Sequence, residues 1–370
     1  MLTGGFVGQD TFVSLAIADN RTVVPDWPGE WRAPELLDHP LAGRIWSRAQ
    51  GGFVSAEDYG LHLAKSRFVL LGEVHDNPDH HRLQAWAIDA VIRLRGARAV
   101  DVVPQMNAVA MEMLSADEQE AIDRFYGRNA RVPRPRTPAD FGRLVKWDKL
   151  GWPAFEIYRP VIEAALNAHL VITPANPARA ENRKVSKEGL GALAPEEVKR
   201  LALDRPLTVE QDNALAVEIR ESHCGMLPET AIPNMSVVQR LRDARMADAL
   251  LHSQSKGAAL IAGNGHVRRD RAVPWYLAAR GIAEKDVAVV RHIEVEADKT
   301  APEAYGLGAG GKGNDADLAD FVVFTPRHPR PEACEEMRQQ MEAIKARRRA
   351  GEEPGGGAPG AGAGAQKPPR

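Results

Sequence analysis

Between residues 67 and 81 the chain reads RFVLLGEVHDNPDHH, which sets Glu73, His75, His80 and His81 close together. A second stretch, AALIAGNGH over residues 258–266, ends in His266. Both contain Gly-x-x-His, as Gly72-Glu-Val-His75 and as Gly263-Asn-Gly-His266. Neutral imidazole is the commonest metal ligand, and a neighbouring carboxylate serves as a hard oxygen donor or a general base. Glu112, in NAVAMEM over residues 107–113, is a further ligand or a group that orients a histidine through its second nitrogen. One such turn carries little information; two, each closing an apolar run, point to a site that holds a metal ion, or one that activates water. The sequence contains neither His-Glu-x-x-His nor Gly-x-Ser-x-Gly, which argues against a zincin-type protease and a serine hydrolase. The glycine spacing of a dinucleotide fold does not follow Gly263.

Elements must bring these residues together. Residues 68–71 form a short apolar run of the kind found in fully buried strands, and the run stops at Gly72. Asn77-Pro78-Asp79 then supplies an N-cap, a proline at the first helical position and an acid in the first turn. Strand, polar turn and helix put Glu73 and His75 at the carboxyl end of a strand, where open α/β sheets keep their ligands. Leu83, Ala87, Ala90, Val91 and Leu94 recur at helical spacing, and His80 falls on the same stripe, facing the sheet. The helix N-terminus disfavours protonated imidazole, so His80 and His81 are expected to stay neutral and available as ligands.

Further strands are expected over residues 107–113, 169–173, 258–262, 286–295 and 320–325, and short helices over 41–50 and 55–65. Residues 178–255 carry only helical pattern and read as an insertion capping the sheet edge. The class is therefore α/β, a mostly parallel sheet flanked by helices with an inserted α-helical subdomain, over residues 41–330. Residues 1–40 read as an extended lead-in and 331–350 as a C-terminal helix. The Gly/Pro/Ala-rich stretch 351–370 cannot bury enough apolar surface to offset its ordering entropy and reads as a disordered tail.

The chain has 370 residues, 44% of them hydrophobic, and a formal net charge of −2. That is enough apolar residue for a large core, and the near-neutral charge argues against a dedicated nucleic-acid binder. No apolar run approaches the ~20 residues that cross a bilayer. Residues 1–20 contain small and apolar residues but lack the basic start of a secretory leader, which leaves export open. Cys224 and Cys334 read first as two free thiols of a reducing compartment. The alternative is one disulfide, if the protein is exported. His223 reads as a helix C-cap, and Gln239, Arg242, Asp243 and Arg245 on one helix as an ion-pair network.

At GEVHDNPDHH the sequence resembles the ChaN-type haem-binding uptake proteins of the Tiki/erythromycin-esterase superfamily. The resemblance continues in AMEML around Glu112, in WPAFEIYRPV, ESHCGMLPE and VVQRLRDARMA, and in IAGNGHVRRDRAVPWYL. It implies an α/β sheet with a helical subdomain, and a bacterial role in haem or iron handling. It also implies a periplasmic or membrane-associated place, although no lipobox cysteine stands near the N-terminus. Haem in this family is linked to tyrosine ligation with histidine support across a homodimer. No motif here matches the ligand tyrosine, and Tyr158 is taken for its proximity in WPAFEIYRP. On this reading haem is the cofactor, the small-molecule partner is haem itself, and His75, His80, His81, His266, Tyr158 and Asn264 contact it.

The wider superfamily contains enzymes, which supplies the competing class. A metal-dependent hydrolase would hold Zn, Mn or Co on Glu73, His75, Glu112 and His266. Glu73 would then deprotonate a metal-bound water between His75 and His266. Metal analysis and an absorption spectrum separate the two.

Overall fold

The computed structural model describes residues 24–97, 105–127, 136–252, 256–308 and 318–331, with 334, 335, 337–339 and 342. Residues 1–23 of the expected lead-in, most of the expected helix over 331–350 and the tail over 351–370 lie outside them. Eight strands are described: β1 (Ile45–Ser47), β2 (Gly52–Val54), β3 (Phe68–Glu73), β4 (Met106–Ser115), β5 (Val171–Asn176), β6 (Gly257–Gly263), β7 (Val287–Glu294) and β8 (Phe321–Thr325). They form one sheet in the order β2-β1-β8-β7-β3-β6-β4-β5. From β8 to β5 every pairing is parallel, and β1 alone runs against the rest, antiparallel to β8 on one side and to β2 on the other.

All six residues of β3 are buried, as a central parallel strand requires. After β3 the chain moves outward to β4 and β5. It then returns as β6, into the gap between β3 and β4, and crosses to the other side as β7. The direction of winding therefore reverses around β3 and β6, and the crevice at their carboxyl ends is the switch point of the sheet. Both Gly-x-x-His turns leave the sheet there.

Ten α-helices are described. On the first half of the chain are α1 (Ala56–Lys65), α2 (Pro78–Gly96), α3 (Gln119–Tyr126), α4 (Pro138–Leu144) and α5 (Phe155–Asn167). The insertion holds α6 (Arg179–Glu188), α7 (Pro195–Arg200), α8 (Val209–Ser222) and α9 (Ile232–His252), and α10 (Val273–Ala279) follows β6. Successive strand side chains point to opposite faces, which divides the core in two. Val69, Leu71, Val109, Met111 and Ile261 pack with α1, α2 and α5 on one face. Phe68, Leu70, Ala108, Ala110 and Leu260 pack with α9 and α10 on the other.

Three expectations change. Residues 41–50 are not a helix: Ile45, Trp46 and Ser47 pair with Val323, Val322 and Phe321, so ladder partners on β8 override the local pattern. Gly51, at φ +59°, turns the chain into β2. The described part of the lead-in is packed rather than merely extended. Trp27 sits edge-on to Trp86 with centroids 4.9 Å apart, and the backbone N–H of Ala33 donates to Asp79 at 2.8 Å. The two cysteines are joined as a Cys224–Cys334 disulfide, so the free-thiol reading gives way to its alternative.

Candidate functional site

Glu73 is the last residue of β3 and shares a face with Val69 and Leu71, so its carboxylate turns toward α2 and α5. It is 2% exposed. Burial alone would protonate it, yet four donors converge on it. His75 Nδ1 donates to Oε1 at 2.8 Å, and the Tyr158 hydroxyl donates to the same oxygen at 3.0 Å. Gln84 Nε2 donates to Oε2 at 2.8 Å, and His81 Nδ1 stands 3.2 Å from it. Burial raises the carboxyl pKa, but His81 and His75 outweigh it and hold Glu73 ionised well below the ordinary range. The consequence reaches His75: its Nδ1 is fixed, and its other nitrogen, Nε2, faces out of the turn.

The second turn is built from the opposite face. His266 Nδ1 donates to Asp243 of α9 at 2.6 Å, and both residues are buried. Its Nε2 comes 3.4 Å from Glu112 Oε1. Glu112 lies on the α9 face of β4. There it accepts from the Gly263 N–H at 2.7 Å and from Arg242, whose Nε also donates to Asn176 at 3.0 Å. The two turns meet directly as well, because the Asn264 N–H donates to the Glu73 carbonyl at 3.0 Å.

Glu112 is the hinge of the arrangement, with its Oε2 3.9 Å from His75 Nε2. Two carboxylate–imidazole pairs, Glu73–His75 and Asp243–His266, therefore aim their second nitrogens at one buried carboxylate. Burial raises the Glu112 pKa, but His266, His75 and Arg242 outweigh it and keep the group ionised. Burial lowers the His75 pKa, and Glu112 and Glu73 more than reverse it, so the ring holds its proton above the ordinary range. For His266 burial lowers the pKa and Arg242 assists, but Glu112 and Asp243 prevail and leave it at about 9. Gly263 passes close to this ring: a Cβ there would stand 3.0 Å from His75 Nε2 and push it aside.

A sequence model of the family described as haem-binding uptake, Tiki superfamily, ChaN, matches residues 61–277. The chain belongs to the ChaN family. The same fold occurs in a solved structure titled as cofacial haem binding to ChaN of Campylobacter jejuni, 22% identical, with a TM-score of 0.56, covering 75% of this chain and 95% of that one. An erythromycin esterase variant in its open conformation is 12% identical over 75% of this chain and 95% of its own, with a TM-score of 0.36, too low to carry an argument. No curated protein matches the sequence.

For a ChaN-family chain the residues present decide what could be held. The side chain of His75 is 25% exposed, and the Trp152 ring lies against it with centroids 4.8 Å apart. Tyr158 is fully buried, its hydroxyl proton is given to Glu73, and burial together with that carboxylate pushes its pKa well up. A phenolate ligand therefore does not fit Tyr158, which instead braces Glu73. A carboxylate-backed imidazole at His75 does fit an iron porphyrin. Among the described residues no three His, Cys, Asp or Glu side chains are arranged to hold a metal ion, so the expected Zn, Mn or Co set on Glu73, His75, Glu112 and His266 does not fit.

Three expected contacts lie elsewhere. His80 is fully buried, with Nδ1 accepting from the Val74 N–H at 2.8 Å and Nε2 donating to Thr325 at 2.9 Å, so neither nitrogen is free. His81 packs on Tyr158 and places Nε2 3.0 Å from the His75 carbonyl, supporting the turn from behind. The Asn264 amide turns inward and donates to the His292 carbonyl at 2.7 Å. Reading the sequence missed Gln84, Trp152 and the role of Asp243. Gln84 has a trace there, as a polar residue one turn after His81 on an otherwise apolar stripe. Asp243 and Arg242, read from the sequence as members of an ion-pair network on one helix, serve the site instead, while Arg245 does pair with Glu197.

Proposed function

We propose that this chain is a haem-binding protein serving haem or iron uptake, with the His75 imidazole as the iron ligand and Glu73 as the group that orients it. One observation carries this reading: His75 is partly exposed, its Nδ1–H is held by a buried carboxylate at 2.8 Å, and an indole lies against the ring. A carboxylate behind an imidazole fixes the tautomer and raises ligand basicity, which suits iron. The charge also balances. Ferric porphyrin core carries one net positive charge and replaces the proton that Glu73 and Glu112 otherwise hold on His75. Haem would supply iron ligation here, and the protein supplies position and field.

The test is titration of the protein with haemin. A Soret shift is expected that is lost in His75→Ala and weakened in Glu73→Gln. Binding should tighten as pH rises through the His75 titration, with one proton released per haem. An unchanged Soret titration in His75→Ala would overturn the assignment.

A second reading, hydrolysis at the same cluster, is favoured by the Asp243–His266 pair, which an iron site on His75 does not need. His266, at about 9, is an acid at neutral pH, and the ionised Glu112 beside it is a base. Haem-free protein that hydrolyses ester substrates, and loses the activity in Glu112→Gln, would favour it.

A further inference from the structure

After β8 residues 326–331 stay on the body of the molecule. They run across the carboxyl ends of the neighbouring strands: Asn77 Nδ2 donates to the Pro326 carbonyl at 3.1 Å, and the His328 N–H donates to Glu294 at 3.0 Å. Arg330 then grips two acids at once. It meets Asp76, the residue after His75, at 2.7 and 2.9 Å, and Glu294 at the end of β7 at 2.6 and 2.7 Å. Cys334 follows and is bonded to Cys224, just past the end of α8. That helix lies against the second turn: Glu218 pairs with Arg271, and a Cβ on Gly265 would stand 2.5 Å from its Oε1. One strap therefore joins the His75 turn to the helix that covers the His266 turn, with Arg330 at one end and the disulfide at the other.

We propose that the Cys224–Cys334 disulfide is a redox latch that sets how freely this site exchanges its ligand. The inference rests on the haem reading for the identity of that ligand. Arg330 and Asp76 are 26% and 25% exposed, so water competes for that pair, while Glu294 at 11% is the better sheltered partner. The covalent link closes the strap beyond Arg330, on the side of α8. A dithiol reductant opens it by exchange: one thiolate attacks a cysteine sulfur, the S–S bond breaks, and the second thiol resolves the mixed disulfide. The products are two cysteine thiols and the oxidised cyclic dithiol. The strap and α8 then move independently, and the crevice between the two turns opens.

The test compares oxidised protein with protein reduced by dithiothreitol and desalted, and with Cys224→Ser/Cys334→Ser. Haemin release to apomyoglobin should quicken about tenfold or more in both opened forms, the change falling in the off-rate. Amide hydrogen exchange in residues 72–77 and 218–224, measured without haem, should quicken in parallel. If neither form takes up haemin but exchange in those residues still quickens on reduction, the haem reading fails and the latch stands. If exchange there is the same in reduced and oxidised protein, the latch is overturned whatever haem does. Reduction of the unaltered chain keeps the test open if the double variant does not fold.

Discussion

His75 and His266 each give an Nδ1 proton to a carboxylate, but the carboxylates come from different distances. Glu73 stands two residues before His75 on the same turn, and α2 and α5 brace it with Gln84, His81 and Tyr158. Asp243 comes from α9 of the insertion, on the other face of the sheet, and its described site contact is His266 itself. The first turn is thus a self-contained unit tied into the main core, whereas the second is completed only when the insertion docks. A motif that repeats in the sequence is two different constructions in space, and the more exposed imidazole belongs to the better braced one.

The sharpest way to break this comparison is to remove each carboxylate. Glu73→Ala leaves two histidines, a tyrosine hydroxyl and a glutamine amide facing a hole, and should cost about 3–5 kcal/mol, the range for breaking a buried charged pair. Asp243→Ala leaves His266 still beside Glu112 and should cost about 1–3 kcal/mol. Urea unfolding of both variants decides it. An equal or larger loss for Asp243→Ala would make the insertion the stronger support and reverse the argument.

Acid and base should attack the two halves separately. Beneath the first turn, His292 donates Nδ1 to the Gly72 carbonyl at 2.6 Å, and its Nε2 has no partner among the described residues. Burial drives its pKa down to about 4. The unfolded chain therefore binds this proton first, and about 3 kcal/mol of stability present above pH 6.5 is lost as pH falls toward 4. His266 has the opposite sign. Raised to about 9, its contribution is complete below pH 6.5 and disappears as pH climbs through 9. Stability measured against pH should lose part of its acid limb in His292→Gln, the remainder belonging to His80, which burial shifts the same way, and part of its alkaline limb in His266→Gln, the remainder belonging to His75. An acid limb unchanged in His292→Gln would mean that other buried groups set it.

The same asymmetry explains what could be read in advance. The α/β class, the strand ends at Gly72 and Gly263 and the helical insertion were legible because each rests on local periodicity and caps. So were Glu73 and His75, which are neighbours in the chain. The role of Asp243 was not: it reads as one member of an ion-pair network, because its partner His266 lies on another element and nothing near it marks the pairing. The β1–β2 hairpin was hidden for a related reason: its strands are three residues each and owe their form to β8. His80 and His81 looked like ligands by type, and only the three-dimensional fold spends their nitrogens on Val74, Thr325 and the His75 carbonyl.

The smallest effects should come from the glycines that open the two turns, and they too should differ. A Cβ on Gly72 would meet the Asn264 side chain, lie 2.6 Å from Val267 Cγ2 and reach 3.0 Å from the Val290 carbonyl. A backbone oxygen of β7 cannot step aside, so Gly72→Ala should cost about 1–3 kcal/mol, the usual range for overpacking. A Cβ on Gly263 meets chiefly the His75 ring, and that ring, a quarter exposed, can give by a few tenths of an ångström. Gly263→Ala should therefore leave stability within about 1 kcal/mol, near the lower edge of the same range. It should nevertheless weaken haemin binding, because the displaced Nε2 no longer points where Glu73 set it. Haemin titration and urea unfolding of the two alanine variants separate these outcomes. If Gly263→Ala lost stability without losing haemin, His75 would be a packing residue of the turn rather than its ligand.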